Sequence, residues 1–95
     1  MNACPFCSIP PQEILDENDH AFAVRDNFPA SEGHTLIIAT RHVEDYFQLS
    51  KEEKDKVFEL LEKMKKTIDS EFHPDGYNIG FNIGAAGGQK ILHAH

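Results

Sequence analysis

The sequence predicts an α+β domain: an antiparallel sheet with one long amphipathic helix packed on one face. Two observations carry this expectation. Short segments of strand-like patterning lie before and after a single stretch with helical periodicity, and one capping signal marks where that stretch begins. With 95 residues, 40% hydrophobic and 26% charged, the chain suits one domain over residues 1–95 with a core of modest size.

Taken in order, "AFAVRD" (Ala21 to Asp26) alternates apolar and polar side chains and predicts a strand, while the following "NFPASEGH" reads as a loop from its Asn, Pro, Ser and Gly. "TLIIA" (Thr35 to Ala39) is a nearly continuous apolar run, suited to a central strand. Ser50 and Glu53 have the spacing of a capping box, and Val57, Leu60, Leu61, Met64, Ile68 and Phe72 recur at helical intervals. That predicts a helix from about Ser50 to about Glu71, stopping before His73-Pro74, with its charged face in solvent. "YNIGFNIG" (Tyr77 to Gly84) and "KILHAH" (Lys90 to His95) predict two further strands joined by a glycine turn.

Composition excludes several function classes. A net charge of -7 opposes a protein that coats a nucleic-acid polymer, although it permits a small phosphorylated ligand in a locally positive pocket. No run approaches the ~20 apolar residues of a membrane span, and "MNACPFCSIP" lacks the basic start and apolar stretch of a secretory signal. A cytoplasmic location without a membrane partner is therefore expected. The only cysteines, Cys4 and Cys7, are three apart, which in a reducing compartment points to metal or redox chemistry, or else to a pair of small buried thiols.

The histidines carry the chemistry. In a strand His93 and His95 share a face, with Leu92 and Ala94 on the other. Neutral imidazole is both a nucleophile and a metal ligand. Gly84, Gly87 and Gly88 permit positive φ and close backbone approach, so N–H groups of that turn can face an anion. By itself, this pattern suits either a reactive pair or two surface histidines.

The segment "NIGAAGGQKILHAH" resembles the active-site segment of the histidine-triad (HIT) nucleotide hydrolases and transferases, a His-φ-His-φ-His-φ-φ run after a Gly-Gly-Gln turn. "CPFC", "AFAVRDNFPASEGHTLIIATRHVEDYFQL" and the long helix are similar to the rest of that family in order and spacing. Two departures stand out. The sequence stops at the second histidine of the triad, so the domain is expected to lack its C-terminal end, and Lys90 stands where many members carry a small hydroxyl residue.

The resemblance implies a nucleotide-binding hydrolase that cleaves at the α-phosphate of nucleoside monophosphate derivatives, phosphoramidase-like, with His95 forming a nucleotidyl-histidine intermediate. Alternatives are dinucleoside polyphosphate hydrolysis, or a non-catalytic zinc-stabilised nucleotide-binding or interaction module. Asn82 and the backbone of Gly87, Gly88 and Gln89 would stabilise the phosphate oxygens, and Lys90 would add charge or point to solvent. Asp26 would accept the ribose hydroxyls, against the alternative of a loop-capping Asp; Leu15, Val24 and Asn27 would flank the base. His34 would orient the nucleophile strand by hydrogen bonding, or be structural. In the zinc-bearing CxxC subtype, structural zinc is implied on Cys4, Cys7, His42 and His93. His20 and His73 are expected in solvated loops. A homodimer is implied, and the 95-residue chain without the third histidine is expected to be weak or inactive.

Overall fold

Three strands, Asp16–Glu17 (β1), Ala21–Arg25 (β2) and Thr35–Ala39 (β3), pair as an antiparallel meander in the order β1-β2-β3. The computed structural model describes residues 4–95. β2 and β3 pair from Ala21 opposite Ala39 to Arg25 opposite Thr35. Period two then sorts their side chains between two faces. Ala21, Ala23, Ile37 and Ala39 face a cluster with Leu49, Val57, Leu60, Met64 and Ala94, while Phe22, Val24, Leu36 and Ile38 pack with Phe6, Ile9, Ile14 and Ile91. The alanines on the first face keep side chains short where the helix lies against the sheet. β1 escapes sequence reading because it is only two residues long; Asn18 closes its hairpin by accepting from the backbone N–H groups of His20 (2.9 Å) and Ala21 (3.0 Å).

The helix Lys51–Phe72 (α1) matches the expected span. Ser50 Oγ accepts from Glu53 N (3.1 Å) and Glu53 Oε1 accepts from Ser50 N (2.8 Å), so both halves of the capping box form. Val57, Leu60 and Met64 are buried on one stripe, each contributing roughly 1.5–3 kcal/mol of apolar burial. The helix ends at His73, which adopts a left-handed conformation (φ 50°) ahead of Pro74. The other face of the sheet is covered by the N-terminal segment, folded into 3-10 turns at Pro5–Ser8 and Pro11–Glu13.

The two strands expected after the helix do not form. Residues 76–83 run without regular secondary structure and are tethered by side chains: the Tyr77 hydroxyl bonds to the Lys65 carbonyl (3.3 Å), and the Phe81 ring packs on Tyr46. Residues 90–95 make isolated backbone bonds, Ala39 N to Ala94 O (3.1 Å) and Ala94 N to Val43 O (2.8 Å), in place of a ladder. A local His93 N to Ile91 O bond and the Gln89 amide both use the Ile91 carbonyl that a ladder would need. Alternation in these segments therefore describes an extended chain rather than sheet partners.

Candidate metal centre and active site

Residues 90–95 keep the alternation of faces without the ladder. Ala94 is buried in the helix-side cluster and Leu92 is exposed, whereas His93 and His95 both meet the Phe6 ring edge-on, at centroid separations of 5.9 and 4.8 Å. Phe6 also packs with Val24 and Ile38, which places both histidines on the sheet face that carries Val24. Sequence reading missed Phe6: lying between two cysteines, it shows no periodicity of its own.

His93 is fully buried and its Nε2 lies 2.6 Å from the Ala39 carbonyl oxygen. A carbonyl only accepts, so Nε2 carries the proton and the Nδ1 lone pair faces the other way. There it meets Cys4 Sγ at 3.3 Å, Cys7 Sγ at 3.6 Å and His42 Nδ1 at 3.0 Å, with Cys7 Sγ 3.2 Å from His42 Nδ1. Burial pushes the His93 imidazole below its usual pKa, against the Ala39 carbonyl, which favours its protonated form; neutral is the state a ligand needs. Hydrogen bonding to the Cys4 thiol, then desolvation, raises the Cys7 thiol above its usual value.

These four residues form a cluster that can hold a metal ion. Each offers one donor atom, and all four atoms lie within 4.8 Å of one another. A tetrahedron with Zn–S of about 2.3 Å and Zn–N of about 2.0 Å has edges of roughly 3.3–3.8 Å, against 3.0–3.6 Å for four of the donor pairs and no more than 4.8 Å for any pair. The donated Nε2–H of His93 is the outer bond that metal-bound imidazoles ordinarily make. The chain ends of the cluster come from a 3-10 turn, the loop after β3, and the 90–95 segment.

His95, beyond this cluster, holds its Nδ1 2.7 Å from the His93 carbonyl oxygen. The same logic makes Nδ1 the donor and leaves the Nε2 lone pair of the neutral ring unused by that contact.

The remaining candidates divide into two groups. β2 and β3 bring Val24, Asp26 and His34 to one end of the sheet, where Asp26 N donates to His34 O (3.0 Å), and Leu15 N donates to Ala23 O (2.8 Å) at the neighbouring edge. Leu15 and Asn27 are exposed, and Val24 is buried. The loop-capping alternative for Asp26 is realised: its Oδ1 accepts from Phe28 N (2.9 Å), while Oδ2 lies 3.6 Å from His34 Nε2. His34 does not reach the 90–95 segment; its Nδ1 accepts from Ala30 N (3.0 Å), because the turn returning from β2 folds over its own ring.

The second group is the glycine turn, with positive φ at Gly84 (72°) and Gly88 (85°). Its expected anion donors are used internally. Gly87 N and Gln89 N donate to Gly84 O (3.1 and 3.0 Å), and Gly88 N donates to Ala85 O (3.0 Å), as so tight a turn requires of its own backbone. Asn82 Nδ2 reaches Gly88 O at a long 3.4 Å. The Gln89 side chain is buried and bonded at both of its polar atoms. Lys90 is exposed and borders a cleft of about 480 Å³ shared with Cys4 and His42, on the side of the metal cluster. His20 is half-buried with Nε2 3.6 Å from Glu52, and His73 caps α1. Among the described residues, no helix is long and apolar enough to cross a membrane.

Comparison with known proteins supplies the context for this geometry. Residues 9–95 match the HIT domain. The chain is 36% identical over 98 residues to an uncharacterized 16.1 kDa HIT-like protein of Mycoplasma pneumoniae, spanning 99% of this chain and 68% of that one. It is 29% identical to a Mycobacterium tuberculosis protein named AP-4-A phosphorylase, covering 98% of this chain and 51% of that one. The crystal structure of a HIT family protein from Bacillus anthracis superimposes with a TM-score of 0.87 at 33% identity, over 95% of this chain and 67% of that one.

Proposed function

Because this chain belongs to the HIT domain family, we propose that it cleaves nucleoside monophosphate derivatives at the α-phosphate, phosphoramidates foremost, through a nucleotidyl adduct on His95. The observation that carries this reading is the 2.7 Å contact between His95 Nδ1 and the His93 carbonyl. It fixes one tautomer, and a nucleophilic imidazole needs this arrangement: a proton held on one nitrogen and a lone pair on the other. His95 Nε2 attacks the α-phosphorus, the bond to the leaving group breaks, and that group departs with the electron pair and takes up a proton. Water then displaces His95 and releases the nucleoside monophosphate.

The other residues serve that step. Asp26 accepts from the ribose hydroxyls through its second oxygen, with Leu15, Val24 and Asn27 near the base. Asn82 and the turn of residues 84–89 seat the phosphate, the turn through the Ala85 and Ala86 N–H groups that its internal bonds leave unused. Cys4, Cys7, His42 and His93 hold structural zinc; a bound zinc ion supplies charge neutralisation for two thiolates and a rigid anchor for His93, two residues from the nucleophile. A reducing, cytoplasmic setting belongs to the same reading, because it keeps both thiols free. So does a homodimer, which light scattering would refute by returning the mass of one chain.

The test is rapid quenching with an adenosine phosphoramidate labelled at phosphorus. The label is expected on His95, and turnover is expected to vanish in His95→Ala. A label on another residue, or undiminished turnover by that variant, would refute the mechanism. Similarity to the protein named AP-4-A phosphorylase favours a second substrate class, dinucleoside polyphosphates. Side-by-side turnover of the two substrates decides between them, and binding of nucleotide with turnover of neither would leave a non-catalytic module.

A further inference from the structure

Gln89 is only 7% exposed, and its side chain spans three segments of the chain. Its Oε1 accepts from Gly84 N (2.9 Å), and its Nε2 donates to the carbonyl of Glu44 (2.6 Å) and to that of Ile91 (3.0 Å). A primary amide has two protons, and both are committed. Glu44 is itself fixed, its N–H donating to Gln48 Oε1 (2.8 Å), and the adjacent Val43 carbonyl accepts from Ala94 N (2.8 Å). One buried amide thus ties the glycine turn to the segment that bears His42 and to the segment that bears His93 and His95.

We infer that Gln89 is a positioning residue: it fixes the turn of residues 84–89 against the histidine-bearing segments and donates nothing to a substrate phosphate. The inference rests on the phosphate-seating role proposed above for that turn, and it removes Gln89 from the groups that touch the transferring phosphorus. Retargeting the amide toward a ligand would strand the Glu44 and Ile91 carbonyls or the Gly84 N–H without partners, which buried groups resist.

The side-chain amide protons of Gln89 report on this directly by NMR, with adenosine 5′-monophosphate as the probe. In the wild-type protein they are expected to exchange slowly before any nucleotide is added and to shift little when it binds. Rapid exchange that slows only on nucleotide addition would overturn the inference. In Gln89→Met the Gly84 amide is expected to lose its protection. Affinity for adenosine 5′-monophosphate should fall about tenfold, the scale of one hydrogen bond, while affinity for adenosine stays unchanged. Weakened nucleotide binding with Gly84 still protected would identify a direct donor instead and overturn the inference. Should Gln89→Met not fold, Gln89→Glu keeps the Gly84 acceptor and loses both amide protons; it is expected to keep Gly84 protected, and an exposed Gly84 there would also overturn the inference. If the wild type binds neither adenosine nor its monophosphate, the proposed function fails, and the exchange of the Gln89 protons alone decides the position of the amide.

Discussion

Replacing Glu53 by glutamine removes one charge from a side chain that is 5% exposed and accepts three hydrogen bonds from two residues. Its carboxylate accepts from Arg41 Nε (2.9 Å) and Arg41 Nη2 (2.8 Å), and from Ser50 N (2.8 Å) as half of the α1 capping box. The Arg41 hydrogen bonds first, then the Ser50 backbone, hold its carboxyl at about 2 against an ordinary 4.5. At about 1.4 kcal/mol for each pH unit of displacement, this corresponds to roughly 3 kcal/mol, a ceiling that screening around the half-exposed Arg41 lowers to about 2–3 kcal/mol. The sign follows from the direction. A depressed native value means the unfolded chain binds the proton first, so the stabilisation is complete above about 4.5 and is lost as pH falls through about 2. Glutamine keeps one oxygen for Ser50 but turns an N–H group toward the Arg41 donors. Urea unfolding of wild type and Glu53→Gln at a series of pH values gives the comparison, with the other carboxylates common to both proteins. The variant is expected to be about 2–3 kcal/mol less stable at pH 7, with the gap closing toward pH 2. A difference below about 0.5 kcal/mol at pH 7, or one that stays constant as pH falls, would refute the reasoning.

Metal analysis of the purified protein is expected to find one zinc per chain, and Cys7→Ser to lose it; a metal-free protein whose thermal midpoint ignores both chelator and added zinc would exclude the four-residue site. Asp26→Ala is expected to weaken nucleoside monophosphate binding by roughly 1.5–3 kcal/mol while leaving a 2′,3′-dideoxy analogue unaffected, as titration calorimetry would show. Equal losses for both ligands would confine Asp26 to capping its loop through Phe28 N.

What was legible in the sequence was local. The capping box of α1 needs only Ser50 and Glu53, and β2 and β3 announce themselves as strands by their apolar runs. The run that suited a central strand, Thr35–Ala39, is however the edge strand of the described sheet, with β2 in the middle because both its neighbours pair with it. The expected strands over Tyr77 to Gly84 and Lys90 to His95 show the limit: alternation is necessary for a strand, but a ladder also needs a neighbouring backbone, and here Tyr77, Phe81 and the Gln89 amide supply the tethers. The four metal-binding candidates are brought together by tertiary structure. Spacing suggested only Cys4 with Cys7, and the pairing with His42 and His93 came through family resemblance. The internal use of the glycine-turn donors, the Asp26 cap and the His34 contact with Ala30 depend on side-chain and loop geometry that no pattern of residue types specifies.

The contact between Cys4 and His93 joins positions 89 apart, nearly the whole length of the described chain. A shared ion there would act as a staple across a loop of almost full length. In the chain-entropy picture, closing a loop of that size withholds about 4–5 kcal/mol of freedom from the unfolded chain. The same geometry has a mechanical side. Tension applied between the N-terminal 3-10 turn and residue 95 would load the metal cluster before any strand of the sheet began to slide.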